Sequence, residues 1–106
     1  MYIIFQRDLL HCVTKLKFVN EIDMSIPSIL VVEDDFEMQE MMLKFLRKNG
    51  FIVYAATNSD ELQNELRKHR IDLILLDVML GDENGITICK EIRISQNIPI
   101  IIVSAL

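Results

Sequence analysis

Glycine and proline are scarce, at three and two residues in 106, and charged side chains make up 25% against 51% hydrophobic. That balance excludes a disordered or fibrous chain, which lacks the apolar content needed to offset conformational entropy. Basic residues are also few: 11 lysines and arginines stand against 16 aspartates and glutamates, for a net charge of −5, and no basic run occurs. A nucleic-acid surface needs clustered positive charge, so no direct nucleic-acid contact is expected. The two cysteines, Cys12 and Cys89, form no CxxC and have no histidine at ligand spacing. A reduced, cytoplasmic chain is the simplest reading. Long apolar runs are missing too. Tyr2-Ile3-Ile4-Phe5 stops at Gln6-Arg7-Asp8, short of a signal-peptide core of roughly 7–15 residues, and nothing approaches the roughly 20 needed to span a bilayer. Secretion and membrane insertion are therefore disfavoured, and the length suits one domain.

What is present falls into two parts. Residues 1–23 read as an N-terminal extension, with acids and bases balanced, whereas residues 24–106 carry the whole net charge. Leu9, Cys12, Val13, Leu16, Phe18 and Val19 recur at three- and four-residue steps, which suits an amphipathic helix. The alternative is that the segment lies upstream of a functional start at Met24.

From Ser28 onward, strand and helix signals alternate. Ile29-Leu30-Val31-Val32 is a short run of the kind a strand buried on both faces needs. Residues 35–49 carry Met38, Met41, Met42, Phe45 and Leu46 on one helical face, expected to be core, with Lys44, Arg47 and Lys48 toward the end and Gly50 as a stop. A second strand is predicted over residues 51–55. Asn58 and Glu61 resemble a capping box opening a helix through His69, with Leu62 and Leu66 inward. A third strand covers residues 72–77. The turn-rich Gly81-Asp82-Glu83-Asn84-Gly85 precedes a helix with Ile86, Cys89 and Ile92, and a fourth strand covers residues 98–104. This alternation predicts an α/β fold, a parallel sheet with helices on both faces.

In such a sheet, ligands collect at the carboxyl ends of the strands. Glu33 and Asp34 end the first strand and Asp77 ends the third, so neighbouring strands would bring three carboxylates together. Clustered carboxylates repel, and a hard divalent cation, Mg²⁺, relieves them. Ser104 ends the fourth strand on the same edge, where a hydroxyl could donate to an anion. For Asp35 and Glu37 a favourable helix start is the simpler role. Asp77 follows Leu73-Ile74-Leu75-Leu76, and a lone charge among such neighbours is expensive. His11 and His69 lie far apart on expected helices, which suits solvated or capping roles, and Cys89 suits packing.

Three stretches in order, Ser28-Ile29-Leu30-Val31-Val32-Glu33-Asp34-Asp35, Asp72-Leu73-Ile74-Leu75-Leu76-Asp77-Val78-Met79-Leu80 leading to Gly85, and Pro99-Ile100-Ile101-Ile102-Val103-Ser104-Ala105, resemble the receiver domain of bacterial two-component response regulators. The resemblance implies a flavodoxin-like, doubly wound sheet. It implies that Asp77 accepts a phosphoryl group from a sensor histidine kinase, that Glu33, Asp34, Asp77 and the backbone carbonyl of Met79 hold Mg²⁺, and that Ser104 senses the phosphoryl group. No enzymatic turnover beyond self-catalysed phosphoryl transfer is implied.

Two departures from the family pattern stand out. Gly81 replaces a common proline four positions after the acceptor, which should loosen the loop. The pattern also continues with a helix, a fifth strand ending in a phosphoryl-pairing lysine, and a last helix, so the fold is expected to be carboxy-terminally truncated, with four of five strands and impaired switching. Lys90 lies in the wrong place to substitute. The fourth strand would then be an exposed apolar edge open to self-association, and part of one face would be bare unless residues 1–23 cover it. Two other readings compete. An aspartate-nucleophile phosphatase fits poorly, since its Asp-x-Asp pattern meets Met79 here. A non-phosphorylated interaction module remains the alternative.

Overall fold

A computed structural model describes residues 2–5 and 26–104. In chain order the elements are β1 (Tyr2–Phe5), β2 (Ser28–Val32), α1 (Phe36–Lys48), β3 (Ile52–Ala56), α2 (Ser59–Lys68), β4 (Leu73–Asp77), a small hairpin of β5 (Met79–Leu80) and β6 (Glu83–Asn84), α3 (Gly85–Ser95) and β7 (Ile100–Ser104). The expected helix around residues 9–19, the seam at Met24, His11 and Cys12 lie outside the described residues.

The main sheet is wholly parallel, with strand order β1-β7-β4-β2-β3. Alternate residues of its strands enter two cores. Leu30, Val32, Ile74, Leu76, Ile100 and Ile102 face α2 and α3, meeting Leu62, Ile88, Cys89 and Ile92. Ile29, Val31, Leu73, Leu75, Ile101 and Val103 lie on the other face with Met42, Leu43 and Leu46 of α1. Burial on both faces is what the unbroken apolar runs of β2, β4 and β7 require. Each such side chain contributes about 1.5–3 kcal/mol on leaving water.

Helix boundaries follow local chemistry. Asp35 Oδ1 accepts from Met38 N at 3.0 Å, opening α1, and Gly50 takes φ +89° just beyond its end. Asn58 Oδ1 accepts from Glu61 N at 2.9 Å. The return bond of this capping box comes one residue early, with Glu61 Oε1 accepting from Thr57 N at 2.7 Å and Thr57 Oγ1 at 2.8 Å. His69 caps α2, stacked on Tyr54 with ring centroids 3.9 Å apart.

Three expectations are corrected. Met41 is 55% exposed, because the buried stripe of α1 runs through Gln39, Met42, Leu43 and Leu46 and position 41 falls on the opposite side of a 3.6-residue helix. The fourth predicted strand, β7, is not an open edge. Tyr2–Phe5 pairs with it in parallel, Tyr2 opposite Ile101 through Phe5 opposite Ser104, so self-association through that edge has no free backbone to use. An apolar strand leaves unpaired N–H and C=O groups at an edge, and a second extended apolar segment satisfies them. Nor is the face beneath α1 bare at β7, since Ile101 and Val103 are each 7% exposed.

Gly81 also behaves otherwise than expected. With φ +59° it turns the β5–β6 hairpin, a conformation that proline, fixed near −65°, cannot adopt. The loop is paired rather than loose. Gly85, at the start of α3, has no room for a side chain, because a Cβ there would lie 2.2 Å from the Asp77 carbonyl oxygen. Gly85→Ala should therefore push α3 from β4 and destabilise the fold by about 3 kcal/mol. A chemical denaturation curve checks this, and an unchanged midpoint would contradict the close approach.

Candidate metal and phosphoacceptor site

The pairing of β2 with β4 places Val32 opposite Leu76, so the next residue on each strand, Glu33 and Asp77, emerges at the same level of the carboxyl rim. Both share strand parity with Val31 and Leu75, on the α1 side of the sheet. Adjacent strands lie only about 4.8 Å apart. One carboxylate oxygen from each of Glu33, Asp34 and Asp77 lies within 4.8 Å of the other two, and these are the one such group of three among the described residues. The convergence expected of Glu33, Asp34 and Asp77 is thus observed.

Their surroundings differ. Glu33 is 8% exposed, Asp77 is half-buried and Asp34 faces solvent. The backbone at Glu33 is firmly held: its N–H donates to Ala56 O at 3.0 Å, and the buried Gln39 donates from Nε2 to Glu33 O at 3.0 Å and Ala56 O at 3.2 Å. Gln39 therefore clamps the ends of β2 and β3 together. It was missed in the sequence because a glutamine within a helix carries no motif.

Asp77 Oδ1 accepts from Met79 N at 3.4 Å, which sets the Met79 peptide beside the carboxylate. The hairpin is tied down by Glu83 Oε1, which accepts from Ser59 N at 3.1 Å, and by Asn84 Oδ1, which accepts from Ile86 N at 2.8 Å to cap α3. Gly81 borders the cluster, since a Cβ there would come 3.6 Å from Asp34 Oδ2. Ser104 is the last residue of β7, one step beyond Val103, which pairs with Asp77. Lys90 is exposed on α3. Among the described residues no basic side chain forms an ion pair with the three acids.

Glu33 Oε2 is buried without a hydrogen-bond partner. Burial pushes the Glu33 carboxyl up to about 8, and the neighbouring Asp77 adds to this by hydrogen bonding and by charge repulsion. Two carboxyl groups can share a hydrogen bond only while one holds a proton, so the orphaned oxygen and the raised value describe two protonation states of the same pair. A raised folded-state value means that the protonated form is favoured by folding. The stability it confers is full below the ordinary value of 4.5 and is lost as pH rises through about 8. Without divalent cation, the midpoint of thermal unfolding should fall between pH 5 and pH 8, and Glu33→Gln should flatten that slope; an equal slope in both proteins would refute the assignment.

The comparisons with known proteins agree with this geometry. The response regulator receiver domain family matches residues 29–106. The transcriptional regulatory protein BaeR of Escherichia coli is 37% identical over 84 residues, 79% of this chain and 35% of that protein. The DNA-binding response regulator MtrA of Mycolicibacterium paratuberculosis is 38% identical over 77 residues, 73% of this chain and 34% of that protein. The chain thus spans about a third of the length of these curated relatives. Among solved structures, a response regulator receiver protein from Pseudomonas putida aligns with TM-score 0.71 at 28% identity, covering 76% of this chain and 69% of that one. The BeF3-activated N-terminal receiver domain of Klebsiella pneumoniae RstA aligns with TM-score 0.69 at 30% identity, covering 74% and 68%. With the sheet, the acidic rim and these relatives in agreement, the chain belongs to the response regulator receiver domain family.

Proposed function

We propose that this chain is a phosphoacceptor of two-component signalling in the bacterial cytoplasm, phosphorylated on Asp77 by a sensor histidine kinase. The observation that carries the reading is the buried, unpartnered Glu33 Oε2 in a cluster with Asp34 and Asp77. An all-oxygen, anionic donor set with an orphaned acceptor and no basic partner among the described residues fits a hard divalent cation. Glu33, Asp34 and Asp77, with the Met79 carbonyl, are the residues that would hold Mg²⁺. When bound, the ion supplies positive charge to offset the carboxylates and the incoming phosphoryl oxygens.

The remaining chemistry belongs to the chain. An Asp77 carboxylate oxygen forms the new O–P bond as the N–P bond to the donor imidazole breaks, a transfer that needs positioning and charge compensation more than covalent assistance. The Met79 N–H, already directed at Asp77 Oδ1, and the clamp of Gln39 on Glu33 hold the acceptor in place. Ser104, at the neighbouring strand end, is the hydroxyl assigned to sense the phosphoryl group. Beside it β1 ends in Phe5.

Beryllofluoride, an acyl phosphate mimic, tests the proposal. In the presence of Mg²⁺ the full chain should bind it saturably by calorimetry. Asp77→Asn should lower affinity by at least about 100-fold, some 2.7 kcal/mol. Absence of binding to the folded parent would instead favour an interaction module that never carries phosphate.

A further inference from the structure

We infer that β3 is a self-pairing edge: two copies of the chain join antiparallel through it, with Tyr54 facing Tyr54 across a two-fold axis, so that their sheets run on as one. The inference rests on the sheet edge and its flanking charges and owes nothing to metal or phosphate.

β3 is an outermost strand of the main sheet, paired with β2 on one side and with no strand on the other among the described residues. Ile52 N donates to Pro27 O at 3.1 Å, and Ala56 O accepts from Glu33 N at 3.0 Å. In a parallel ladder alternate residues bond the same neighbour, so Ile52, Tyr54 and Ala56 turn their peptide groups to β2. Val53 and Ala55 turn theirs outward. Unpaired edge groups are a template for a further strand, and a protected edge carries charge, proline or a bulge. Ile52–Ala56 has neither charge nor proline, and its register with β2 is regular. Ile52 is 42% exposed, while Val53, Tyr54 and Ala55 are half-buried. An antiparallel pairing centred on Tyr54 sets Val53 of each copy opposite Ala55 of the other, and the two residues of each such pair exchange both their hydrogen bonds.

The flanking helices decide the occupant and its direction. α1 has Glu37 in its first turn and Arg47 and Lys48 in its last, and α2 has Asp60 and Glu61 in its first turn and Arg67 and Lys68 in its last. Both helices descend from the carboxyl rim, so the β3 edge is acidic at its carboxyl end and basic at its amino end. A two-fold axis brings the acidic end of one copy beside the basic end of the other, and the patch becomes its own complement. Parallel pairing would set like charges side by side.

Particular side chains flank the strand. The sheet-facing stripe of α1 is Gln39, Met42, Leu43 and Leu46, and at 100° per residue Glu40 and Arg47 share one flank while Met38 and Phe45 share the other. Met38 and Phe45 pack into the core. In a right-handed crossover from β2 to β3 the Glu40 flank is the one toward the outer edge. On α2, Glu61 Oε1 accepts from Thr57 N just past the end of β3 at 2.7 Å, and Lys68, seven residues on, shares its flank. The two-fold axis turns Glu40 of each copy toward Arg47 of the other, and Glu61 toward Lys68.

Sedimentation equilibrium on the full chain, from about 10 μM to about 1 mM, tests the pairing, and a reversible dimer is expected within that range. Glu40→Lys and Arg47→Glu, each at the helix surface, should both raise the dimer dissociation constant by about tenfold. Mixed in equal amounts, the two variants should associate about as tightly as the parent, because the reversed charges then face opposite ones. In the parent, the Val53 and Ala55 amides should exchange with solvent at least about tenfold more slowly at the upper concentration than at the lower. A monomer throughout, a dimer indifferent to both reversals, a mixture no tighter than its components, or Val53 and Ala55 amides that exchange alike at every concentration would each overturn the inference.

Discussion

Repulsion between two carboxylates at adjacent strand ends is the constraint around which the rim is built. Parallel pairing with Val32 opposite Leu76 leaves Glu33 and Asp77 no means of parting without breaking the sheet register. That register is itself fixed, because a one-residue slip would turn Ile29 and Val31, or Leu30 and Val32, toward the wrong core. Hydrophobic burial on two faces thus holds together charges that would otherwise separate. The mutual strain persists as a raised Glu33 carboxyl and an orphaned oxygen. Stability and chemistry pull in opposite directions at this point, as they commonly do where a site is prepared for a ligand.

Around that pair, other polar groups fix the backbone without satisfying the acids. Gln39 spends its amide on two carbonyls, Glu33 O and Ala56 O. Asn84 directs its side chain to helix N–H groups, and Glu83 binds the start of α2. None of these neutralises a carboxylate. A lysine in place of Gln39 would bring a counter-ion to the strand ends and weaken the demand for a cation, so the choice of an uncharged amide matters. Gly85 permits α3 to begin against the Asp77 backbone, and Gly81 permits the hairpin turn beside Asp34. Two of the three glycines therefore serve the rim.

Much of this was legible in the sequence because it depends on local pattern. Runs such as Leu73-Ile74-Leu75-Leu76 announce buried strands, and acids directly after them announce a crowded rim. The capping role of Asn58 and the packing of Cys89 follow from spacing in the same way. Other features depend on relations that spacing does not encode. The hairpin of β5 and β6 has only two residues per strand, too few for a period to show. Met41 and Met42 are chemically alike, and only the helix's rotation against β2 and β3 decides that one is buried and the other exposed. Tyr2-Ile3-Ile4-Phe5 is apolar and short, and nothing local distinguishes an isolated run from the outer strand of a sheet whose other members lie far along the chain.

The position of β1 has an energetic consequence for the rim it completes. Its pairing with β7 joins residues near opposite ends of the sequence, Tyr2 with Ile101 and Phe5 with Ser104, and is the longest-range ladder in the sheet. The entropy of closing so large a loop grows only slowly with length, about 0.6 kcal/mol per doubling, so the pairing is affordable at equilibrium. Kinetically it differs, because non-local contacts form only after the nearer ones have reduced the search. β2, β3 and β4 can assemble through short crossovers, bringing Glu33, Asp34 and Asp77 together before β1 docks. Ser104, by contrast, ends the strand that lies between β4 and β1, and its pairing with Phe5 belongs to the long-range ladder. The acidic cluster therefore belongs to the part of the sheet joined by short crossovers, and Ser104 to the part that the long-range ladder completes.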